Sequence, residues 1–160
     1  MKSVTFRRSI MAATGVALML GTSLAAAQAA QPTLEGTWNV TRHGVDCVTG
    51  EVRSSFPAIM VFHEGGTYSG FGASPGSTPA DGSPEFGSWK RVPGAQSYKF
   101  RITGIAYDGG APAGSVDING AAQLSPQGER LDYTATIAFL DLNGDTLFTL
   151  CGRATGVRFQ

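Results

Sequence analysis

From residue 36 onward the chain alternates apolar and polar side chains with a period of two, and this alternation constrains its fold more than any other feature. The segment 132–139 is the clearest case, with an apolar residue at every second position: Tyr133, Ala135, Ile137 and Phe139. One apolar and one polar face per strand is typical of antiparallel sheets that cover a core on one side. No segment has the pattern of a capped amphipathic helix, since the 22 glycines and 8 prolines recur too often. The sequence therefore predicts an all-β fold.

Turn-forming residues divide this part of the chain into eight predicted strands. Their bounds are 36–43, 55–63, 67–72, 86–92, 97–108, 115–125, 130–141 and 145–159. Three tight turns alternate with three longer loops rich in Gly, Ser and Pro. The turns are 64–66, 93–97 and 125–129, and the loops are 44–54, 72–85 and 108–114. If neighbouring strands pair in chain order, the long loops share one end, and the sequence predicts an eight-stranded antiparallel up-and-down barrel with a loop-rimmed mouth and a tight floor.

The first 29 residues have the pattern of an export signal. Lys2, Arg7 and Arg8 precede an uncharged apolar run, 10–24, and small residues follow at 25–29 with A-x-A cleavage sites. A Sec signal fits this pattern, and so does a twin-arginine signal, because Arg7-Arg8 precede Ile10 and Met11. We expect a single domain, 30–160, in the periplasm or secreted, with no membrane span after cleavage. The oligomeric state stays open.

The charge balance excludes one class of partner. The chain has 12 Lys+Arg and 12 Asp+Glu, and the leader holds three of the bases and none of the acids. The domain therefore carries nine bases against twelve acids, a net charge of −3. Nucleic-acid binding needs a basic excess, so no nucleic-acid partner is expected.

The positions of the two cysteines are consistent with a barrel that closes between the first and the last strand. If Trp38 pairs near Arg158 as strand 8 closes on strand 1, the same register brings Cys47 close to Cys151. A pair of cysteines in an exported chain indicates a disulfide. With two distant histidines they give no metal-ligand spacing, so no metal and no cofactor are expected.

Gly36-Thr37-Trp38, at the start of the first strand, resembles the Gly-x-Trp signature of lipocalins and related calycin barrels. In that family the Trp lies at the closed end of the barrel beside an Arg of the last strand. Arg158 holds the matching position here, with Arg153 as the alternative. The resemblance implies a floor formed by Gly36, Trp38 and Arg158. The C-terminal helix of secreted animal lipocalins has no counterpart, because the sequence ends at Gln160; the pattern resembles a small exported bacterial barrel.

Alternation from Trp38 predicts an apolar interior. Its members are Val40, Phe56, Met60, Phe62, Phe100, Ile102, Val116, Ile118, Tyr133, Ile137, Phe139, Phe148 and Leu150. Arg42 and Tyr133 are the only polar groups predicted to face inward, and no acid–base pair is expected there. We expect a ligand to contact Val40, Arg42, Phe56, Met60, Phe62, Phe100, Ile102, Tyr133, Ile137 and Phe139. A lumen filled by side chains is the alternative.

Three functions remain open at this point. The first is binding of a small hydrophobic ligand in the lumen. The second is a cofactor-free isomerase or cyclase that uses Arg42, Tyr133 and rim residue Asp108 on an apolar substrate. The third is a structural or inhibitory surface protein with a packed barrel.

Overall fold

The alternating segments form eight β-strands in the computed structural model, which describes residues 31–72 and 82–159. The strands are β1 (Gly36–Val45), β2 (Val52–Phe62), β3 (Thr67–Gly72), β4 (Glu85–Arg91), β5 (Ser97–Asp108), β6 (Ala111–Leu124), β7 (Arg130–Leu140) and β8 (Thr146–Arg158). No helix occurs in these two ranges, so they include none that could cross a membrane. The predicted leader 1–29 and positions 73–81 of the predicted 72–85 loop lie outside the described residues.

Each strand pairs antiparallel with its neighbour in the chain, and β8 pairs with β1, so the sheet is a closed barrel. The predicted fold class is confirmed. The closing register is also the predicted one, because Trp38 lies opposite Arg158. Closure removes free sheet edges, which would otherwise leave backbone hydrogen-bonding groups unpaired.

One predicted loop is wrong. The expected long connection 108–114 is a two-residue turn at Gly109-Gly110, both with positive φ (59° and 84°). Consecutive positive φ angles suit the tight hairpin turns that match strand twist, and glycine adopts them without strain. The sequence Pro112-Ala113, taken as loop, instead continues β6, and a register shift at Ala106/Tyr107 accommodates it.

The floor half of the barrel is filled by side chains. Large apolar and aromatic groups from β1, β2, β5 and β7 are almost completely buried there: Trp38, Met60, Phe62, Tyr98, Ile102 and Leu131. Trp89, in β4, packs edge-on against Phe62 and Tyr98, with ring centroids 6.2 and 5.6 Å apart. Burial of this much apolar surface is the main stabilising contribution that such a small barrel has.

The wall of the barrel is taller on one side of the mouth. The β1–β8 pairing ends at Val45 and Cys151. The β7–β8 hairpin continues to Leu140 and Thr146, and the β5–β6 hairpin to Asp108 and Ala111. Because β5 to β8 extend beyond their neighbours, their inward faces rise above the packed floor.

The disulfide pulls the β1–β2 loop onto the outside of the barrel. Cys47 and Cys151 are bonded, with Cα atoms 5.2 Å apart and 104 residues between them in sequence, which confirms the predicted pair. Cys151 alternates with the inward-facing Gly152, so its side chain points outward. The bridge therefore holds the loop against the outer face of β8, beside the seam between β1 and β8. A structural disulfide of this kind is typical of an oxidising, non-cytosolic compartment.

Candidate functional site

A buried ion pair lies inside the barrel, above the packed floor. Arg42 of β1 is 6 % exposed. Its Nη1 donates to Glu85 Oε1 at 2.6 Å, and its Nη2 donates to Glu85 Oε2 at 2.7 Å. This two-point arrangement is the strongest geometry between a guanidinium and a carboxylate, because both donors are aligned at once. Arg42 and Glu85 therefore neutralise each other within the lumen.

Two tyrosines complete a set that we call the polar cluster: Arg42, Tyr68, Glu85 and Tyr133. The Tyr68 hydroxyl donates to Glu85 Oε2 at 3.0 Å and accepts from Arg42 Nη2 at 3.1 Å. Tyr133 packs edge-on against Phe100, with ring centroids 5.3 Å apart, and lies opposite Ala154, the β8 neighbour of Arg42.

Burial fixes the protonation states of the polar cluster. It raises the pKa of Tyr68, and the nearby Glu85 charge raises it further. Burial also raises the pKa of Tyr133, which the charge of Arg42 only partly opposes. For Arg42, burial is the largest single influence and acts to lower the pKa, but the hydrogen bonds to Glu85 together with the electrostatic effects of Tyr133, Glu85 and Tyr68 outweigh it and hold the pKa above its ordinary value. Both tyrosines are thus neutral and Arg42 is charged at any physiological pH.

Glycines in β3 provide the space that the polar cluster occupies. A Cβ atom at Gly72 would lie 3.1 Å from Arg42 Nη1 and 3.4 Å from the Phe56 ring. At Gly70 it would collide with the Tyr68 hydroxyl. A side chain at either position would displace a hydrogen-bonding partner, so the glycines belong to the site.

The lumen holds more polar groups than the alternation predicted, and the prediction that it contains no acid–base pair is wrong. Arg42 and Tyr133 face inward as predicted, but Tyr68 and Glu85 join them, and Arg42–Glu85 is an interior acid–base pair. Glu85 had been assigned to the end of a loop because the fourth strand was predicted to start at residue 86. The alternation itself could have identified Glu85. Trp89 faces inward, and every second residue before it in β4, first Gly87 and then Glu85, faces the same way.

Around the mouth, the tall side of the barrel presents an apolar wall, formed by Val116, Ile137, Phe139, Phe148 and Leu150. All five belong to the inward alternation of β6, β7 and β8. Phe139 and Phe148 are stacked, with centroids 4.4 Å apart, yet Phe148 is 50 % exposed and Leu150 is 43 % exposed. Val116 and Ile137 pack partly against the core, whereas Phe148 and Leu150 face the lumen with about half of their surface left exposed by the described structure.

The predicted ligand contacts separate into two groups. Those in the floor half are buried in the packed core: Val40, Met60, Phe62, Phe100 and Ile102. Those nearer the mouth are half-buried or belong to the polar cluster: Arg42, Phe56, Tyr133, Ile137 and Phe139. In the second group Arg42 and Tyr133 are themselves buried, whereas Phe56, Ile137 and Phe139 are half-buried. Ligand contact at these residues stays a prediction.

At the opposite end, Arg158 lies over Trp38, with its Cζ 4.4 Å from the ring centroid. Its guanidinium donates to three backbone carbonyls, those of Gly128, Glu35 and Thr33. Gly36 has φ of 120°, and a Cβ there would lie 2.7 Å from Arg158 Nη1. The arrangement ties the segment before β1 and the end of β8 to the β6–β7 turn and closes the floor.

Other residues considered for chemistry lie apart from the polar cluster. Asp108 is exposed at the end of β5. His43 Nδ1 lies 2.8 Å from Ser55 Oγ, and Asp46 Oδ1 accepts from the backbone N–H groups of Val48 and Thr49 in the β1–β2 loop. No group of three or more His, Cys, Asp or Glu in the described ranges is placed to hold a metal ion.

A groove of about 530 Å³ runs along the outer face of β5 to β8, beside the disulfide. The β1–β2 loop forms one side, and Lys99, Asn119, Thr134 and Arg153 are among its lining residues. The lining is more polar than the apolar wall, and the groove is separated from the lumen by the sheet itself.

Comparisons with known proteins give no information about function, so any functional hypothesis has to be argued from the residues themselves. Neither a protein-family model, nor a curated protein, nor a solved structure matches this chain significantly. The closed eight-stranded barrel is compatible with the lipocalin-like architecture that Gly36 and Trp38 suggest.

Proposed function

We propose that this protein is an exported, lipocalin-like barrel that binds one small hydrophobic molecule in the mouth half of its lumen. The observation that carries the proposal is the exposure of the apolar wall. Inward-facing aromatic and aliphatic side chains normally bury themselves in a barrel of this size, and in the floor half they do. At the mouth the same alternation leaves Phe148 and Leu150 uncovered, so an apolar guest would remove their surface from water.

The disulfide and the leader sequence support the exported part of the proposal. The Cys47–Cys151 bridge favours an oxidising, non-cytosolic compartment, and the pattern of residues 1–29 is that of an export signal. Periplasmic and secreted placement both fit these features.

Titration with Nile red, a neutral dye that fluoresces in apolar surroundings, tests the proposal directly. We expect saturable binding that Phe148→Ala and Leu150→Ala weaken. Leu142→Ala is the matched control, since Leu142 is an exposed apolar residue of the β7–β8 turn outside the apolar wall. Native mass spectrometry of protein from its own host should show a co-purifying apolar molecule. An empty barrel that excludes the dye would favour the structural or inhibitory role instead.

A cofactor-free isomerase or cyclase is the second candidate, and the polar cluster favours it. Arg42 and Tyr133 can orient an oxygen of a bound substrate, and Glu85 adds a carboxylate beside them. Asp108 would act from the rim. If Arg42→Gln, Tyr133→Phe and Asp108→Asn all turn over a host-derived ligand at the wild-type rate, this candidate is excluded.

A further inference from the structure

We infer that the lumen selects an apolar molecule that ends in a neutral oxygen, such as an alcohol or a ketone, and rejects the corresponding carboxylate. This inference rests on the proposed function, because it concerns the polar end of the same ligand. It follows from the way the polar cluster distributes its charge and its hydrogen-bond donors.

The positive charge of Arg42 is already neutralised by Glu85. Both terminal nitrogens are held by the two oxygens of Glu85, at 2.6 and 2.7 Å, and Nη2 also contacts Tyr68. A ligand carboxylate would have to displace Glu85 or lie next to it as a second negative charge. In a partly desolvated lumen either arrangement is unfavourable, because like charges repel strongly there and a displaced Glu85 would lose its partner.

The polar cluster nevertheless retains a donor. Nε of Arg42 is buried and has no hydrogen-bond partner in the described part of the chain. Buried donors are normally paired, so an unpaired one inside the lumen is a place where a guest that enters to the depth of the polar cluster can supply an acceptor. A neutral oxygen can accept from this donor without adding charge to a cluster that is already balanced.

The apolar wall provides the complementary half of the recognition. Phe139, Phe148 and Leu150 would cover the hydrocarbon part of the guest, while its oxygen points down toward Arg42. A molecule with this polarity matches the lumen at both ends, whereas a purely hydrocarbon molecule leaves the donor unpaired.

The experiment compares 1-octanol with octanoate, which have the same chain length, as competitors of bound Nile red near neutral pH. We expect wild-type protein to bind 1-octanol about tenfold more tightly, because octanoate brings an unpaired charge into the lumen. Glu85→Gln frees the guanidinium and should reverse the preference toward octanoate. Arg42→Gln/Glu85→Gln removes both charges and should bind octanoate no better than wild type. Glu64→Gln, at an exposed floor turn, is the control for a change of net charge alone and should keep the wild-type preference.

The outcomes separate the two proposals. Equal or tighter binding of octanoate by wild type overturns the inference while leaving lumen binding intact. Failure of Nile red and both octyl compounds to bind overturns the proposed function itself. If Glu85→Gln does not fold, the wild-type comparison alone still decides the inference.

Discussion

The floor half and the mouth half of this barrel are built from the same strands and the same alternation, yet their interiors differ. In the floor half, Trp38, Met60 and Phe62 are at most 1 % exposed. In the mouth half, Phe148 and Leu150 face the same lumen with about half of their surface exposed to water. The polar cluster marks the boundary between the two.

The difference teaches that one sheet can be tightly packed at one end and leave apolar side chains partly exposed at the other, where we propose that a ligand binds. Side chains that fill the floor gain dispersion contacts on all sides and cannot be moved without leaving a cavity. Side chains at the mouth make fewer contacts, so they contribute less to folding and remain able to cover a guest. The predictions below are arranged from the largest expected effect to the smallest.

Replacing one phenylalanine in each half by alanine compares the packing of the two halves most directly. Phe62→Ala should lower the free energy of unfolding by about 3–5 kcal/mol, because it leaves a cavity in the packed floor. Phe148→Ala should cost about 1 kcal/mol or less, since half of that ring is already in water. Urea unfolding measures both, and Nile red affinity should fall for Phe148→Ala. Equal costs would mean that the two halves are not packed differently.

Removing one member of the Arg42–Glu85 ion pair tests how strongly the two charges are coupled at the boundary between the floor half and the mouth half. Glu85→Leu leaves Arg42 as an uncompensated buried charge and should lower the free energy of unfolding by about 3 kcal/mol. Arg42→Met/Glu85→Leu should restore most of this loss, because no isolated charge remains. The double-mutant cycle is read from chemical denaturation. Additive costs would show that the two charges are not coupled.

The disulfide acts on the fold and not on the lumen. Cys47→Ser/Cys151→Ser should lower the free energy of unfolding by about 2–4 kcal/mol, because the bridge restricts the unfolded chain. Since the bridge lies outside the barrel, Nile red affinity should not change. Loss of dye binding in a variant that is still folded would show that the β1–β2 loop supports the mouth after all.

The smallest effect concerns Asp46, whose pKa is lowered to about 2 from 3.8 by hydrogen bonds from the backbone N–H groups of Thr49 and Val48. A carboxyl whose pKa is lowered in the folded state contributes its full stabilisation at pH values above the pKa that it has in the unfolded state. That contribution is lost as the pH falls through the pKa of the folded state. Asp46→Asn should therefore lower Tm slightly at neutral pH, and the gap to wild type should close near pH 2. A constant gap across this range would contradict the role of the charge.

Local pattern was enough for the strands and for their pairing order. Seven connections between eight alternating segments, one of them a clear Asn-Gly hairpin at Asn143-Gly144, allowed few other arrangements. The same pattern missed the two-glycine turn at 109–110, because Pro112 and Ala113 read as loop residues while tertiary pairing holds them in β6. Propensity is a weak guide where a neighbouring strand supplies the hydrogen bonds.

Only two of the four residues of the polar cluster could be predicted from the sequence. Arg42 and Tyr133 were placed inward by counting along their strands, and both belong to the polar cluster. Glu85 was missed because strand ends cannot be located to within a residue from sequence alone, and a one-residue error changes which face a side chain occupies. Its meeting with Arg42, 43 residues away in the chain, depends on how the strands tilt around the closed barrel.

By itself the sequence determined the class of fold, because that follows from a period of two. For the closing register of β1 with β8 it offered Arg158 or Arg153 as the residue beside Trp38, and the first of these also brings the two cysteines together. Only the tertiary structure decided that the described residues fill the floor half, that apolar side chains of the mouth half stay partly exposed, and that the buried Arg42 is already neutralised by Glu85. The physical reason is that alternation specifies which way a side chain points, whereas filling and charge pairing depend on what the other strands bring to the same space.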